Sequence, residues 1–208
     1  MSEGIQFPLS FENFICEPYE SSFSSYLTRF DALKLKDENG LEYTPIGLEK
    51  SIRDSGRKND AQLLRTYLVF RISEDNKKEL ACVFCIRCSS MHFENPLREN
   101  FFSEIIPCIE LVYLAVDANC LKRHPEIKGI GSATFDAFIV PIIQELNRLC
   151  GCKNLFLFAI NNKKLIKYYI DRMDFKTLPE EQEKFVVNNL KTTDNLDCKF
   201  LYQPIECM

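Results

Sequence analysis

A chain of 208 residues, 27% charged and 46% hydrophobic, has ordinary globular composition and enough length to bury a sizeable core. Its net charge of −4 excludes a global attraction to nucleic acid, and no apolar run approaches the ~20 residues that a bilayer-crossing helix needs. The N-terminal stretch carries no signal-peptide apolar core, so a cytoplasmic protein with no membrane partner is expected.

Taken in order, residues 1–16 hold Phe7, Phe11, Phe14 and Ile15 with little periodicity, and an edge strand is expected near Phe14. Pro18 marks the start of a helix on which Tyr19, Phe23, Tyr26, Leu27, Phe30 and Leu33 recur at helical spacing, an aromatic stripe to pack on a sheet. Asp37-Glu38-Asn39-Gly40 is a turn, and Gly47 to Ser55 a short polar helix closed by Gly56. Thr66 to Ile72 and Leu80 to Cys88 are rich in Val, Ile, Phe and Tyr and flank a charged loop, the pattern of a β-hairpin. Residues 89–107, including Asn95-Pro96 and Phe101-Phe102, are expected to form a long irregular insertion over a substrate or partner site, or tucked down on its phenylalanines.

The next stretch, Cys108 to Phe175, organises the chain. An apolar strand, Ile109 to Val116, leads through a charged turn into Lys128-Gly129-Ile130-Gly131-Ser132-Ala133 and a long amphipathic helix. On that helix Phe135, Phe138, Ile139, Ile142, Ile143, Leu146 and Leu149 make the apolar stripe, and Pro141 is expected to kink it. A second apolar strand, Asn154 to Ala159, runs into Asn161-Asn162 and a tyrosine-bearing helix ending near Asp174-Phe175. An acidic helix start, Pro179 to Glu183, and a last strand near Asp197–Gln203 complete the order.

Ten cysteines raise the question of disulfides or zinc. Cys82, Cys85 and Cys88 lie in one expected strand, where Cys85 points to the opposite face, so one metal cannot gather all three. Cys150 and Cys152 flank Gly151, where adjacent thiols pair only with strain. His92 and His124 are the only histidines, too few for a zinc cluster. Buried free thiols and no metal are expected.

The chemistry is expected at the glycine loop. Gly129 and Gly131 let the backbone turn sharply and approach a ligand, and a helix that begins there offers unpaired N–H groups and a positive dipole end to phosphate. A plain strand-to-helix turn is the other reading of the same glycines. A dinucleotide-type loop is excluded, because Thr134 and Phe135 stand where a third glycine would be; a Walker loop is excluded because no Gly-Lys-Ser/Thr follows.

The run Glu110-Leu111-Val112-Tyr113-Leu114-Ala115-Val116-Asp117 followed by Gly129-Ile130-Gly131-Ser132-Ala133 resembles motif A of the GNAT superfamily of acyl-CoA-dependent N-acetyltransferases. Ala159-Ile160-Asn161-Asn162, Tyr168-Tyr169 and Phe175 resemble its motif B, so the similarity spans roughly residues 65–178. The Phe14-x-Cys16 start and the helix after it resemble GNAT toxins of toxin–antitoxin modules. The family pattern begins with Gln or Arg where this chain has Glu126, leaving Lys128 or Arg123 to compensate. Asp174 stands for the usual motif B glycine, and Ile170 occupies the usual tyrosine position, so Tyr169 matches only with one extra residue at the helix end.

The resemblance implies a single α/β domain over residues 1–208: an N-terminal strand and helix region 1–64, an acyl-CoA core 65–178 and a C-terminal helix and strand 179–208. It implies a mixed, mostly antiparallel sheet of about six or seven strands, with a splayed parallel pair in the middle and helices on both faces. Acetyl-CoA would be the co-substrate, its pantetheine arm along Leu114, Ala115 and Val116 and its pyrophosphate on Lys128 to Ala133, with Ser132 adding a hydroxyl. Glu110 would be the general base, unless it pairs with a neighbour such as Arg87; Tyr169, or its rival Tyr168, would protonate the leaving thiolate unless it serves core packing. Asn161 would cap its helix or bond the coenzyme arm. The acceptor would be an amine on a small molecule, peptide or protein, and a homodimer is compatible with the family. Under the toxin reading the acceptor is aminoacyl-tRNA and an antitoxin is a partner; a catalytically silent acyl-CoA-binding protein is the third reading.

Overall fold

The computed structural model describes residues 13–36, 40–43, 48–54, 64–94, 103–190 and 198–208. In chain order these form β1 (Phe14–Pro18), α1 (Ser24–Arg29), β2 (Leu35–Lys36), β3 (Glu42–Tyr43), α2 (Leu48–Arg53), β4 (Arg65–Ile72), β5 (Lys78–Glu94) and β6 (Ser103–Val116). Then come α3 (Ala118–Arg123), α4 (Ile130–Thr134), a π-helical turn (Phe135–Ile139), α5 (Val140–Cys150), β7 (Asn154–Ile160), α6 (Lys163–Met173), α7 (Glu180–Asn189) and β8 (Cys198–Pro204).

Six strands make one sheet in the order β1-β4-β5-β6-β7-β8, antiparallel throughout except for β6 and β7. A βαβ crossover brings β7 parallel to β6, and the helix of that crossover, α4 to α5, covers one face. Ile130, Phe135, Ile139 and Ile143 bury that helix against Val69, Cys82, Ile109 and Leu155, joined by Met173 of α6. The opposite face is covered by Leu27 and Ile52 from α1 and α2, and by Val186 of α7 over Phe156 and Phe200. Each such fully buried apolar side chain contributes about 1.5–3 kcal/mol through removal of its surface from water.

Several expectations need correction. The helix after Pro18 is only six residues of α1 preceded by a 3-10 turn, and Pro18 closes β1 instead of opening a helix. Its aromatic spacing is nonetheless used: Phe23 and Tyr26 lie 5.4 and 5.0 Å from the Phe70 ring. Phe30 then turns extended (ψ 130°), which sends Leu33 to donate its amide to the Val116 carbonyl. The stretch after Cys88 is not irregular either: β5 runs on to Glu94 and β6 begins at Ser103, because Met91 and half-buried Phe93 pack under α7. Asn95-Pro96, Phe101-Phe102, Gly47, Ser55 and Gly56 lie outside the described residues.

Pro141 does not simply kink its helix. It sits in the first turn of α5, and the π turn before it is closed by the Val140 amide on the Phe135 carbonyl, five residues back. Proline has no N–H and clashes with the carbonyl four residues behind; widening the preceding turn shifts that carbonyl away and keeps the helix continuous. The thiols are free as expected, but not all are buried: Cys88 and Cys150 are exposed. Cys82 and Cys85 face opposite sides of the sheet, and all described cysteines are free.

Candidate active site

The site is built where β6 and β7 stop pairing. Cys108, Ile109 and Glu110 are in register with Asn154, Leu155 and Phe156, and there the ladder ends although the strands continue to Val116 and Ile160. The cause is local. On the β5 side the register slips between Cys85 and Ile86, leaving Val112 as an extra residue on β6. Such a bulge bends its strand and increases its twist, which turns the far half of β6 away from β7.

The opening exposes one edge of β6. The Asp117 amide bonds Ala81 on the β5 side, whereas the Val116 carbonyl accepts from Leu33 on the other side. Backbone groups alternate along an extended strand, so Leu114 shares the orientation of Val116 and faces the gap, while Ala115 turns to β5. Leu114 and Val116 are therefore the residues whose peptide groups border the opening, with the Val116 carbonyl already engaged.

The glycine loop closes one end of this gap. Gly129 has φ 73°, the left-handed region that favours glycine, and stands at the N-cap of α4 with no side chain to cap it. The first intrahelical bond is Ala133 N–H to the Gly129 carbonyl at 3.0 Å, so the amides of Ile130, Gly131 and Ser132 precede it. Ser132 Oγ donates to the same carbonyl at 3.0 Å. A methyl group on Gly131 would lie 3.8 Å from Val116 Cγ2, which sets the loop against the free edge of β6. Buried Ile130 pins the helix start, and Lys128 is exposed beside it.

Glu110 occupies the last paired rung. It is 4% exposed, and its Oε2 accepts a hydrogen bond from Arg87 Nε at 2.6 Å, across the register pair Arg87–Glu110. It shares a face with Cys108 and Phe156, opposite the helix α4 to α6 side. Tyr168 and Tyr169 sit on that other side, in the apolar cluster that also takes Leu114 and Val116. The Tyr169 ring stands edge-on to Phe175 at 5.7 Å, and burial of its hydroxyl pushes the pKa up to about 12.

The end of α6 explains how Tyr169 takes a position that simple counting gives to Ile170. The amide of Asp174 bonds the Tyr169 carbonyl five residues back, and that of Phe175 bonds it too, at 3.2 Å. This last turn holds one residue more than an α-turn. Asp174 adopts φ 55°, the conformation for which glycine is the usual choice. Ile170 is 38% exposed, so the core-facing ring is that of Tyr169.

Asn161 is not the cap of α6. The cap is Asn162, whose side chain accepts from the Leu165 amide at 3.0 Å and donates to the Lys36 carbonyl at 2.8 Å. The spacing Asn162 to Leu165 was the readable signal. Asp117 likewise caps α3 through the Asn119 amide at 2.9 Å. Arg123, a candidate to compensate for Glu126, is engaged with Glu79, and exposed Glu126 lies 3.5 Å from His124 Nδ1. Among the described residues no group of acidic, His or Cys side chains is arranged to hold a metal.

No protein-family model matches the chain, and no curated protein sequence matches it significantly. Solved structures do. AtaTR bound with acetyl-CoA superposes with a TM-score of 0.65 at 18% identity, covering 94% of this chain and 96% of that one. A mutant AtaT toxin bound to the C-terminus of the antitoxin AtaR and acetyl-CoA gives 0.59 at 18% identity, covering 94% and 95%. AtaT complexed with acetyl-methionyl-tRNAfMet gives 0.59 at 19% identity, covering 93% and 96%. The chain has the GNAT fold. Within that fold the splayed strands and the glycine-led helix are the parts that sequence similarity had singled out.

Proposed function

We propose that this chain transfers an acetyl group from acetyl-CoA to a primary amine held beside it. The observation that carries this reading is the parting of β6 from β7 after Glu110, next to a helix start whose first amides have no backbone partner among the described residues. An extended thioester chain fits such an opening, and a diphosphate fits amides at the positive end of a helix. Ile130, Gly131 and Ser132 would supply those amides, Lys128 a charge, and Leu114 and Val116 the edge for the pantetheine arm.

An ammonium ion cannot attack, so the acceptor must first lose a proton. Glu110 is the base in this reading, directly or through a water: it lies at the base of the opening, on the face away from the glycine-led helix. The freed amine nitrogen bonds the carbonyl carbon, the carbon–sulfur bond breaks, and a thiolate leaves, with the nitrogen's surplus proton passing to the sulfur to give the amide and a free thiol. Tyr169, a protonated phenol whose pKa burial pushes further up, offers that thiolate a hydrogen bond, with Tyr168 next to it.

A tRNA-borne acceptor is a specific form of this reading, supported by the structural likeness to AtaT, which has been solved with acetyl-methionyl-tRNAfMet. On the same footing an antitoxin partner is supported by the AtaT–AtaR complex. The test is to incubate the protein with acetyl-CoA and, separately, small amines, peptides and charged tRNA, following release of free thiol. Acetylation of any amine supports the transferase; acetylation restricted to charged tRNA selects the toxin form. Coenzyme binding with no transfer to any acceptor returns the protein to a silent acyl-CoA binder.

A further inference from the structure

Beyond the C-terminal end of β6, a groove of about 710 Å³ is walled by α1, the β4–β5 turn and the segment from Asp117 to His124. Its charges are unequal. Glu79 alone receives Arg123, His124 Nε2 at 2.8 Å and Arg71 Nη1 at 3.9 Å. Burial alone would raise the Glu79 carboxyl, but the bonds from Arg123 and His124 outweigh it and hold the pKa below the usual value. Glu126 lies 3.5 Å from His124 Nδ1, Asp75 holds Lys77 and Glu17 holds Lys78, yet the lining sets Arg29, Arg71, Lys77, Lys78 and Arg123 against only Asp75, Glu79 and Asp117. Arg29, on the α1 wall, has no carboxylate partner among the described residues, and Tyr26 presents a half-buried ring beside it. A chain of net charge −4 thus gathers surplus cations in one hollow.

The hollow adjoins the glycine loop. Asp117 on its wall follows Val116, the residue against which Gly131 packs. Arg123 and His124 lead into Lys128-Gly129 through one turn, closed by the Ile127 amide on the His124 carbonyl at 3.1 Å.

We propose that this groove receives the 3′-phosphoadenosine end of the coenzyme, so that the 3′-phosphate takes Arg71, Arg123 and His124 from Glu79 while Arg29 and Tyr26 flank the adenine. A phosphomonoester carries close to two negative charges at neutral pH and accepts several charge-assisted bonds, which matches three donors converging on a single acid. A purine stacks readily on an aromatic ring or a guanidinium plane. Glu79 is then the resident anion that keeps the cations placed when the coenzyme is away. The inference rests on the acetyl-CoA reading of the glycine loop.

The experiment is calorimetric titration of the full chain with CoA and with 3′-dephospho-CoA. Wild type is expected to prefer CoA by about tenfold or more, a preference that falls towards unity in Arg71→Ala/Arg123→Ala. Arg29→Ala, which breaks no described ion pair, is expected to weaken both ligands alike. Glu79→Gln is the discriminating variant: it should lower Tm yet widen the preference for CoA, whereas loss of a merely structural carboxylate would lower Tm and leave the preference unchanged. Equal binding of the two ligands by wild type, or a preference that survives the double arginine change, overturns the proposal. So does an arginine effect seen only on tRNA binding. If neither ligand binds, the acetyl-CoA reading itself fails.

Discussion

Arg87 on β5 and Glu110 on β6 face one another across the ladder, Nε to Oε2 2.6 Å, at the last rung before β6 and β7 separate. Glu110 is 6% exposed at its side chain and Arg87 40%, so the acid depends on the guanidinium while the guanidinium reaches water. A carboxylate placed there is either a working base or half of a structural pair, and the two roles separate experimentally. Glu110→Gln keeps volume and removes the charge; kcat is expected to drop by ~10²–10⁴ with a small change in Tm. Arg87→Met leaves a buried carboxylate without its partner and is expected to cost about 1–3 kcal/mol of stability. Thermal melts and steady-state kinetics on both variants decide; full activity in Glu110→Gln removes the base assignment.

The two loop glycines are predicted to fail differently. Gly131 has ordinary space for a methyl group and no positive φ, so Gly131→Ala should leave Tm unchanged or slightly raised. Its effect should fall on ligand approach, as an acetyl-CoA Kd weakened by about tenfold. Gly129→Ala forces an L-residue into φ 73° and should cost ~1–2 kcal/mol of stability as well as affinity. Equal stability losses in the two, with no change of Kd for Gly131→Ala, would mark the pair as a plain turn.

Asp174→Gly is expected to stabilise the protein. Asp174 holds φ 55° at the end of α6, where glycine meets no Cβ penalty. A gain of up to about 1 kcal/mol should raise Tm by roughly 2–4 °C for a chain of this size. A melt showing Asp174→Gly less stable than wild type would mean that the Asp174 side chain has a partner worth more than the backbone strain.

Much of the central unit was legible because its signals are periodic. The runs from Ile109 to Val116 and from Asn154 to Ile160 are continuous apolar strands buried on both faces, and the stripe from Phe135 to Ile143 has a helical period. The bulge at Val112 was not legible, since every residue from Leu111 to Val116 suits a strand and the slip is set by the neighbouring β5. The long arm of β5 and β6 was missed because Ser89, Ser90 and His92 dilute the apolar pattern, and Met91 is buried by residues distant in sequence, Phe156, Val186 and Phe200. The grouping of Arg71 and Glu79 with Arg123 and His124 joins two segments through bonds spanning 44 to 53 residues, which no local pattern reveals.

Stability is predicted to fall steeply in alkali. Burial pushes the thiols of Cys82 and Cys85 from an ordinary value of 9.0 up to about 12, and the Tyr169 hydroxyl from 10.0 up to about 12. Groups whose folded pKa lies above the unfolded one keep their protons in the native state after the unfolded chain has released them. Their contribution is therefore complete below about pH 9 and is lost as pH rises from 9 towards 12. Chemical denaturation across that window checks this; Cys82→Ala should be less stable at pH 7 but show a shallower decline, whereas a flat profile for wild type would contradict it.

The most direct measurement is a backbone amide titration by ¹⁵N NMR with acetyl-CoA. The account predicts saturable shifts centred on Ile130, Gly131 and Ser132 and on the gap-facing edge at Leu114 and Val116, with amides of the paired rungs Ile109 and Leu155 much less affected. Saturable binding that leaves the Ile130–Ser132 amides unmoved, or no binding at millimolar ligand, would contradict it.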